Sequence, residues 1–556
     1  MTVRTPAVHL RGEGIDGGVS ILPDQYIITT GTNAQPVDMN PYDARDYDMY
    51  LATEDYGVYK TDLLAGRADV ERVFGSKFSL KAGVAINRLE KDDRRIANNY
   101  TFTGSAGNTA ASAYDLVDEA VTVQMNGRDV IWPSPVKAYD LFVAHQDWFS
   151  LNSTTFSNAA QNSKRMIEEI SSAYLRFDLK LFQNRLALTG GVRFEKTELD
   201  GWSMRQDGFA VYQRDENGEL LRDANGSLIM KPGLAADAMA RYKLIYQERA
   251  HHEGQAYDGF YPSINASFTL TENMVLRAAY ARTVGRPNVS YVVAGITIPA
   301  TVSDADPDEA RTITVGNPGL EPWTADSFHL SLDSYAIGGG YGSIGVYQKY
   351  VTNFFAQRAI PADEETLRHY NIPEEDMELM RNYWLRRWEN VGDGRLTGVE
   401  LSYRQDLLFF PAWLQKAQVW VNYTHLKVGG ANTDDFVNFT PDIFSCGVNY
   451  IRPRYAVRLT CAYQAETKKR REDIVGTSGV ARYPDGTYVY QGAYTKYGLT
   501  AEYAFSKAFI LFANWDNVFG RDRYYYRRGP DTPDWAAKSQ RYVIPSSIML
   551  GVKGRF

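Results

Sequence analysis
The chain has 556 residues but only two cysteines, Cys446 and Cys461, and no third cysteine or histidine stands beside them at ligand spacing. That excludes a zinc site of the usual Cys/His kind. Nor is there an apolar run near the roughly 18 residues that a spanning helix needs. A helical membrane protein is therefore excluded, whereas a strand-built one is not, because barrel strands average out mildly polar. The sequence contains no G-x-S-x-G, no P-loop and no H-E-x-x-H. It therefore offers no catalytic residues, no cofactor site and no candidate enzyme chemistry. Net charge is −7 and the sequence pI about 5.7, which gives no electrostatic footprint for nucleic acid.

What is present is tyrosine, 38 of them, within a 13% aromatic share, and strict alternation. Mean hydropathy is −0.38. In the segment 173–181, Leu175, Phe177, Leu179 and Leu181 alternate with Tyr174, Arg176, Asp178 and Lys180. Side chains of a strand point to opposite faces in turn, so this strand has one apolar side and one charged side. After a turn at 183–185 the pattern repeats, with Leu186, Leu188, Val192 and Phe194 against Thr189, Arg193 and Glu195. A watery lumen suits such a charged face, and a lipid belt suits the other. Further turns fall near 75–77, 271–273, 338–340, 411–415, 452–454 and 505–507. Long polar connections lie near 91–162, 200–256, 287–322, 357–392, 428–438, 468–488 and 520–540. Short turns on one side and long loops on the other are the two ends of an outer-membrane barrel, and soluble domains rarely carry so many loops beyond roughly 15 residues.

The expected fold is all-β: an antiparallel transmembrane β-barrel portion of about fifteen strands within 57–556. Residues 1–56, rich in Gly, Pro and Asp, are expected to be loop with at most one strand. A closed all-antiparallel barrel needs an even strand number, and the N-terminal Met1-Thr2-Val3-Arg4-Thr5-Pro6 lacks the apolar core of a signal peptide. The expectation is thus a chain that begins part-way round a larger barrel. The last strand alternates Ile548, Leu550, Val552 and Phe556 against Ser547, Gly551, Lys553 and Arg555.

Several segments resemble the TonB-dependent outer-membrane receptors. Arg282-Thr283-Val284-Gly285-Arg286-Pro287 is similar to that family's R-x-x-x-R-P. Gly316-Asn317-Pro318-Gly319-Leu320-Glu321-Pro322 resembles its G-N-P-x-L-x-P, and Gly398-Val399-Glu400-Leu401-Ser402-Tyr403 its G-x-E-x-x-Y. Asn517-Val518-Phe519 with Tyr524 resembles its N-L-F-x-x-x-Y, with Val518 in place of Leu, and Phe556 closes the chain on an aromatic. The resemblance implies the later strands of a 22-stranded barrel that carries a plug and imports nutrients with energy from TonB. It implies structural roles for Arg286, Pro287, Asn317, Pro318, Pro322, Gly398, Glu400, Asn517, Phe519 and Phe556. It also implies a Gram-negative outer-membrane location, lipid and lipopolysaccharide contacts, and insertion by the barrel assembly machinery through the C-terminal strand. TonB would be reached only through a plug that this chain lacks. The small ligand would be a carbohydrate or siderophore-type nutrient. A passive porin-like channel and a structural or adhesion barrel are the alternatives.

Ligand contacts are expected in the outer loops. Tyr383, Trp384, Arg387 and Trp388 form one aromatic and basic group, behind a helix near 373–380; Arg523, Tyr524, Tyr525 and Trp535 form another. Aromatic faces stack on sugar rings and Arg binds anions, though the same residues suit the membrane–water interface and lipopolysaccharide. The trio His251-His252-Glu253 reads as solvated loop, not metal site, since neighbours on a strand face opposite ways. Cys446 and Cys461 should lie opposite each other on the lipid side of one hairpin, and two unpaired thiols are favoured over a disulfide.

Overall fold
The structure, a computed structural model, describes residues 2–4, 8–13, 25–32, 35–38, 48–103, 116–125, 128–299, 311–335, 338–380, 382–430, 436–472 and 483–554. Fifteen strands build one wall. They are β1 (Asp48–Phe74), β2 (Phe78–Phe102), β3 (Lys164–Leu181), β4 (Leu186–Asp207) and β5 (Tyr246–Thr271). Next come β6 (Met274–Gly285), β7 (Trp323–Ser334), β8 (Gly340–Pro361), β9 (Trp384–Asp406) and β10 (Ala417–Gly429). The wall ends with β11 (Asp442–Ile451), β12 (Tyr455–Gln464), β13 (Tyr494–Ala504), β14 (Phe509–Asp516) and β15 (Ser547–Gly554). Fourteen antiparallel ladders join each strand to the next in chain order. The fold is the expected all-β barrel wall. From β2 to β14 each strand is laddered on both sides, which pairs its backbone donors and acceptors without help from water.

The chain reverses in short turns at 75–77, 182–185, 272–273, 335–339, 407–416, 452–454 and 505–508. At the opposite end lie the long connections 103–163, 208–245, 286–322, 362–383, 430–441, 465–493 and 517–546. Several strands run further than the polar sequence suggests. Lys91-Asp92-Asp93-Arg94-Arg95, read as the start of a loop, is still paired in the β1–β2 ladder. Beyond the lipid belt both faces of a strand meet water, so polarity no longer marks its end. Residues 1–56 also carry more strand than expected. Thr2–Arg4 pairs with the start of β1, and Val8–Glu13, Gln25–Thr32 and Gln35–Asp38 form a small separate sheet. The β-branched run Ile27-Ile28-Thr29-Thr30 supplies the propensity that the surrounding Gly and Pro obscure.

The outward face of the wall is an apolar band that includes Leu175, Phe260, Phe328, Leu330, Val346, Leu401, Val448, Leu459, Leu511 and Leu550, all solvent-exposed. The other face carries the pairs Arg193–Glu195, Arg277–Asp333 and Lys553–Glu502. On this polar face glycines stand directly opposite large rings: Gly83–Tyr174, Gly285–Trp323, Gly398–Tyr347, Gly447–Trp420 and Gly551–Phe512. Each ring lies over its glycine so closely that a Cβ there would overlap it. That gives the glycine of the G-x-E-x-x-Y segment a packing reason. The end strands β1 and β15 differ from the thirteen between them. Each has a long ladder on one side only, and along 57–74 and 547–554 nearly every side chain is exposed. Cys446 and Cys461 face each other directly in the β11–β12 register, with their sulfurs unbonded in this structure.

Two substitutions check these faces. Leu330→Arg, at a side chain 47% exposed in the apolar band, should lower the barrel's unfolding free energy by roughly 2–4 kcal/mol. An unchanged value in urea titrations of lipid-reconstituted protein would mean the faces are reversed. Gly398→Val should cost about 1–3 kcal/mol by driving the Tyr347 ring off its seat, and adding Tyr347→Ala should recover much of the loss.

Candidate functional site
Three of the long connections, 208–245, 286–322 and 362–383, collapse onto one another at the outer end of β4, β5, β8 and β9. Their shared apolar core contains Phe209, Ile296, Ile298, Ile313, Leu367, Tyr370, Met380, Tyr383 and Leu385. Arg214 clamps the cap by a bidentate pair to the buried Asp376, at 2.9 and 2.7 Å. Arg205 Nη1 donates to the Tyr370 carbonyl at 3.2 Å, and the Tyr370 hydroxyl donates to the Gly316 carbonyl at 2.7 Å. A tandem repeat builds one edge: Arg214-Asp215-Glu216-Asn217-Gly218-Glu219-Leu220 and Arg222-Asp223-Ala224-Asn225-Gly226-Ser227-Leu228. In both copies the aspartate accepts two backbone N–H bonds and the arginine donates to the glycine carbonyl, 2.7 Å in the first and 2.6 Å in the second. Glycine at φ +89° and +86° allows these tight turns.

The motif residues fasten this cap to the wall. Arg286 donates to Glu195 and, at 3.2 Å, to Thr197 Oγ1, drawing the chain across the inner face of β4 just before Pro287. Asn317 Nδ2 donates to the Trp388 carbonyl at 2.7 Å, while its Oδ1 accepts from Gly319 N at 3.0 Å. Between Pro318 and Pro322, Glu321 N donates to Asn390 Oδ1 at 2.9 Å. At Gly316 a side chain would run into the Val292 carbonyl. Glu400 stands exposed near the Tyr347–Gly398 pair. Asn517, fully buried at φ +49°, holds its loop through Ile544 O at 2.7 Å and the Arg521 backbone. Phe519 is exposed and edge-on to Tyr497. Phe556 lies outside the described residues.

Where the cap meets the wall, on the polar face, a cavity of about 430 Å³ opens among Trp323, Lys349, Phe354, Phe355, Trp388 and Phe436, with Asn438 at its side. Tyr291 stacks on Trp388 with centroids 3.8 Å apart and planes at 17°, and Phe355 meets both rings edge-on. Among the described residues, Lys349 is the one charged residue of the lining. An aromatic hollow with a few placed polar groups is the usual form of a small-molecule site. Of the first expected group, Trp388 reaches this cavity. Tyr383, 1% exposed, is part of the cap core and has no surface to offer a ligand. Trp384 pairs with Thr312, and Arg387 is taken up by Glu389 at 2.5 Å and the Tyr370 hydroxyl at 3.4 Å. Arg523, Tyr524 and Tyr525 lie on a separate four-stranded sheet of Thr467–Arg471, Tyr488–Gln491, Arg523–Arg528 and Lys538–Tyr542. There Lys538 sits over Tyr524 at 3.8 Å and Arg523 over Tyr494 at 5.0 Å. Trp535 is 86% exposed on its own helical turn. Tyr291, Lys349, Phe355 and Phe436 were missed because they come from four separate segments. The signal that could have found two of them is aromatic residues clustered at strand ends beside the motif loop.

His251 and His252 do face opposite ways. His252 stacks on Trp202 and lies 3.3 Å from Asp200. His251, 6% exposed, has Nε2 3.4 Å from Glu253, whose carboxylate is 3.8 Å from His369. No group of three such residues among those described could hold a metal ion. These residues sit roughly 20 positions from the nearest short turn, at ~3.3 Å each, and so stand outside the lipid belt. Burial first, and the Arg205 charge second, hold the His251 imidazole down to about 4, and burial raises the Glu253 carboxyl. A histidine whose folded-state value lies below its unfolded 6.5 favours folding above that pH, and its contribution is lost as pH falls towards 4. The raised Glu253 acts with the opposite sign. Hydrogen exchange should therefore show cap amides losing protection relative to the wall between pH 6.5 and 4. His251→Phe should flatten that slope, and an equal slope in the variant would exclude His251 as its source.

Fold and loop asymmetry together define an outer-membrane β-barrel. The chain belongs to the TonB-dependent receptor-like β-barrel family, whose model matches residues 12–518. That family resides in the Gram-negative outer membrane and comprises receptors, not enzymes. Among solved structures, the chain is similar to a ferric citrate transporter (14% identity, 91% of this chain and 56% of that one, TM-score 0.46). It is also similar to a copper transporter (12%, 96% and 61%, TM-score 0.49) and to a ferric-catecholate import receptor of E. coli K12 (13%, 96% and 60%, TM-score 0.48). The chain thus spans 56–61% of the length of these three. No curated protein matches it.

Proposed function
We propose that the chain is the barrel part of an active outer-membrane importer of a small nutrient, first held in the aromatic hollow beneath the loop cap. Family membership supports the importer reading, with energy delivered by TonB through a plug. The observation that carries the site is the stacked Tyr291–Trp388 pair beside a hollow whose single charge among the described residues is Lys349. Such a lining favours a ligand with a flat or ring-shaped apolar face and an anionic group, which an acidic carbohydrate or a siderophore-type chelate provides. Residues 523–528 and Trp535 serve the outer surface in this reading.

Growth of a deletion strain on single carbon or iron sources identifies the nutrient, and uptake of the labelled compound then tests the site. Trp388→Ala and Lys349→Gln should each reduce binding about tenfold, a loss of ~1.4 kcal/mol, while Trp535→Ala should leave it unchanged. Collapse of the proton gradient should stop accumulation. Uptake that merely equilibrates, gradient or not, would identify a passive channel instead.

A further inference from the structure
Cys446 and Cys461 are the only cysteines in 556 residues, and nine consecutive β11–β12 pairs without a bulge place them directly opposite each other. Directly opposed residues of an antiparallel ladder have Cα atoms about 4.5 or 5.5 Å apart, and disulfides span about 4.4–6.8 Å. Val448 and Leu459, the next pair on the same face, are exposed apolar side chains of the lipid band. Once the hairpin is inserted, no aqueous oxidant or reductant reaches this depth.

β11 and β12 have ten residues each, whereas β1 to β5 have 18 to 27. Fewer pairs specify the register, and a slip of one residue would turn the apolar set into the lumen. We propose that Cys446 and Cys461 form a redox modification site, joined as a disulfide in the periplasm before the hairpin enters the membrane, and that this bond sets the register of β11 on β12. The oxidant is the disulfide of a periplasmic thiol–disulfide exchange protein. One chain thiolate attacks that disulfide, giving a mixed disulfide and releasing one thiolate. The second chain thiolate then attacks the mixed disulfide at the chain's own sulfur, forming the Cys446–Cys461 bond and expelling the other thiolate. The chain loses two electrons and two protons, and the oxidant gains them as a dithiol.

The test is alkylation of the full protein from native outer membranes with a maleimide-polyethylene glycol, after acid quenching and complete denaturation in SDS, before and after reduction. No mobility shift is expected before reduction and a two-adduct shift after it. A host without its periplasmic thiol oxidase should give the two-adduct shift unreduced. Two adducts from unreduced wild-type membranes would overturn the proposal. Refolding into lipid vesicles tests the register: reductant should lower the wild-type yield at least threefold and leave Cys446→Ala/Cys461→Ala unaffected. Equal insensitivity of both proteins would overturn the register role.

Discussion
The wall exists because hydrocarbon offers a peptide group no hydrogen-bonding partner. Every N–H and C=O at that depth must find its mate on a neighbouring strand, which makes the antiparallel ladder compulsory. The alternation of side chains follows from the ladder, as does the sorting of Leu330, Phe328 and Val346 outward and of Arg277, Asp333 and Glu502 inward. The glycine–aromatic pairs follow too: a flat ring laid across the ladder needs a neighbour with no side chain, as Tyr347 finds in Gly398.

Above the belt the governing physics changes to that of a soluble protein. Three connections bury Ile296, Ile313, Tyr370 and Leu385 in a common core, and the Asp376 end of the Arg214–Asp376 clamp is buried beside it. The hollow with Trp388 lies at the seam between the two regimes. Its floor is wall, its cover is cap, and Asn317, reaching the Trp388 carbonyl, belongs to both.

The wall was legible in the sequence because its rule has period two and repeats many times. The strands, their turns and the long-loop side could all be read from alternation, and the direct opposition of Cys446 and Cys461 from the turn at 452–454. The cap was not legible. Its core draws on residues more than 150 positions apart, such as Phe209 and Leu385, and no local pattern links them. For that reason Tyr383 read as a ligand contact when it is core, and Arg387 read as an anion binder when Glu389 and Tyr370 occupy it. The motif segments pointed to the right loop without disclosing what it does, which is to tie cap to wall through Arg286 and Asn317.

The length of the strands has a further meaning. β4, β5, β8 and β9 have 22 to 26 residues, whereas crossing the membrane takes roughly ten. More than half of each strand is therefore a rigid chimney beyond the lipid, whereas Thr283, Ser327 and Lys349, eight to ten positions from the short turns, set the floor of the aromatic hollow near the outer rim of the lipid belt. A solute must descend inside the chimney before it meets that floor. The first encounter is thus governed by the shape and charge of the mouth rather than by partition into the membrane surface.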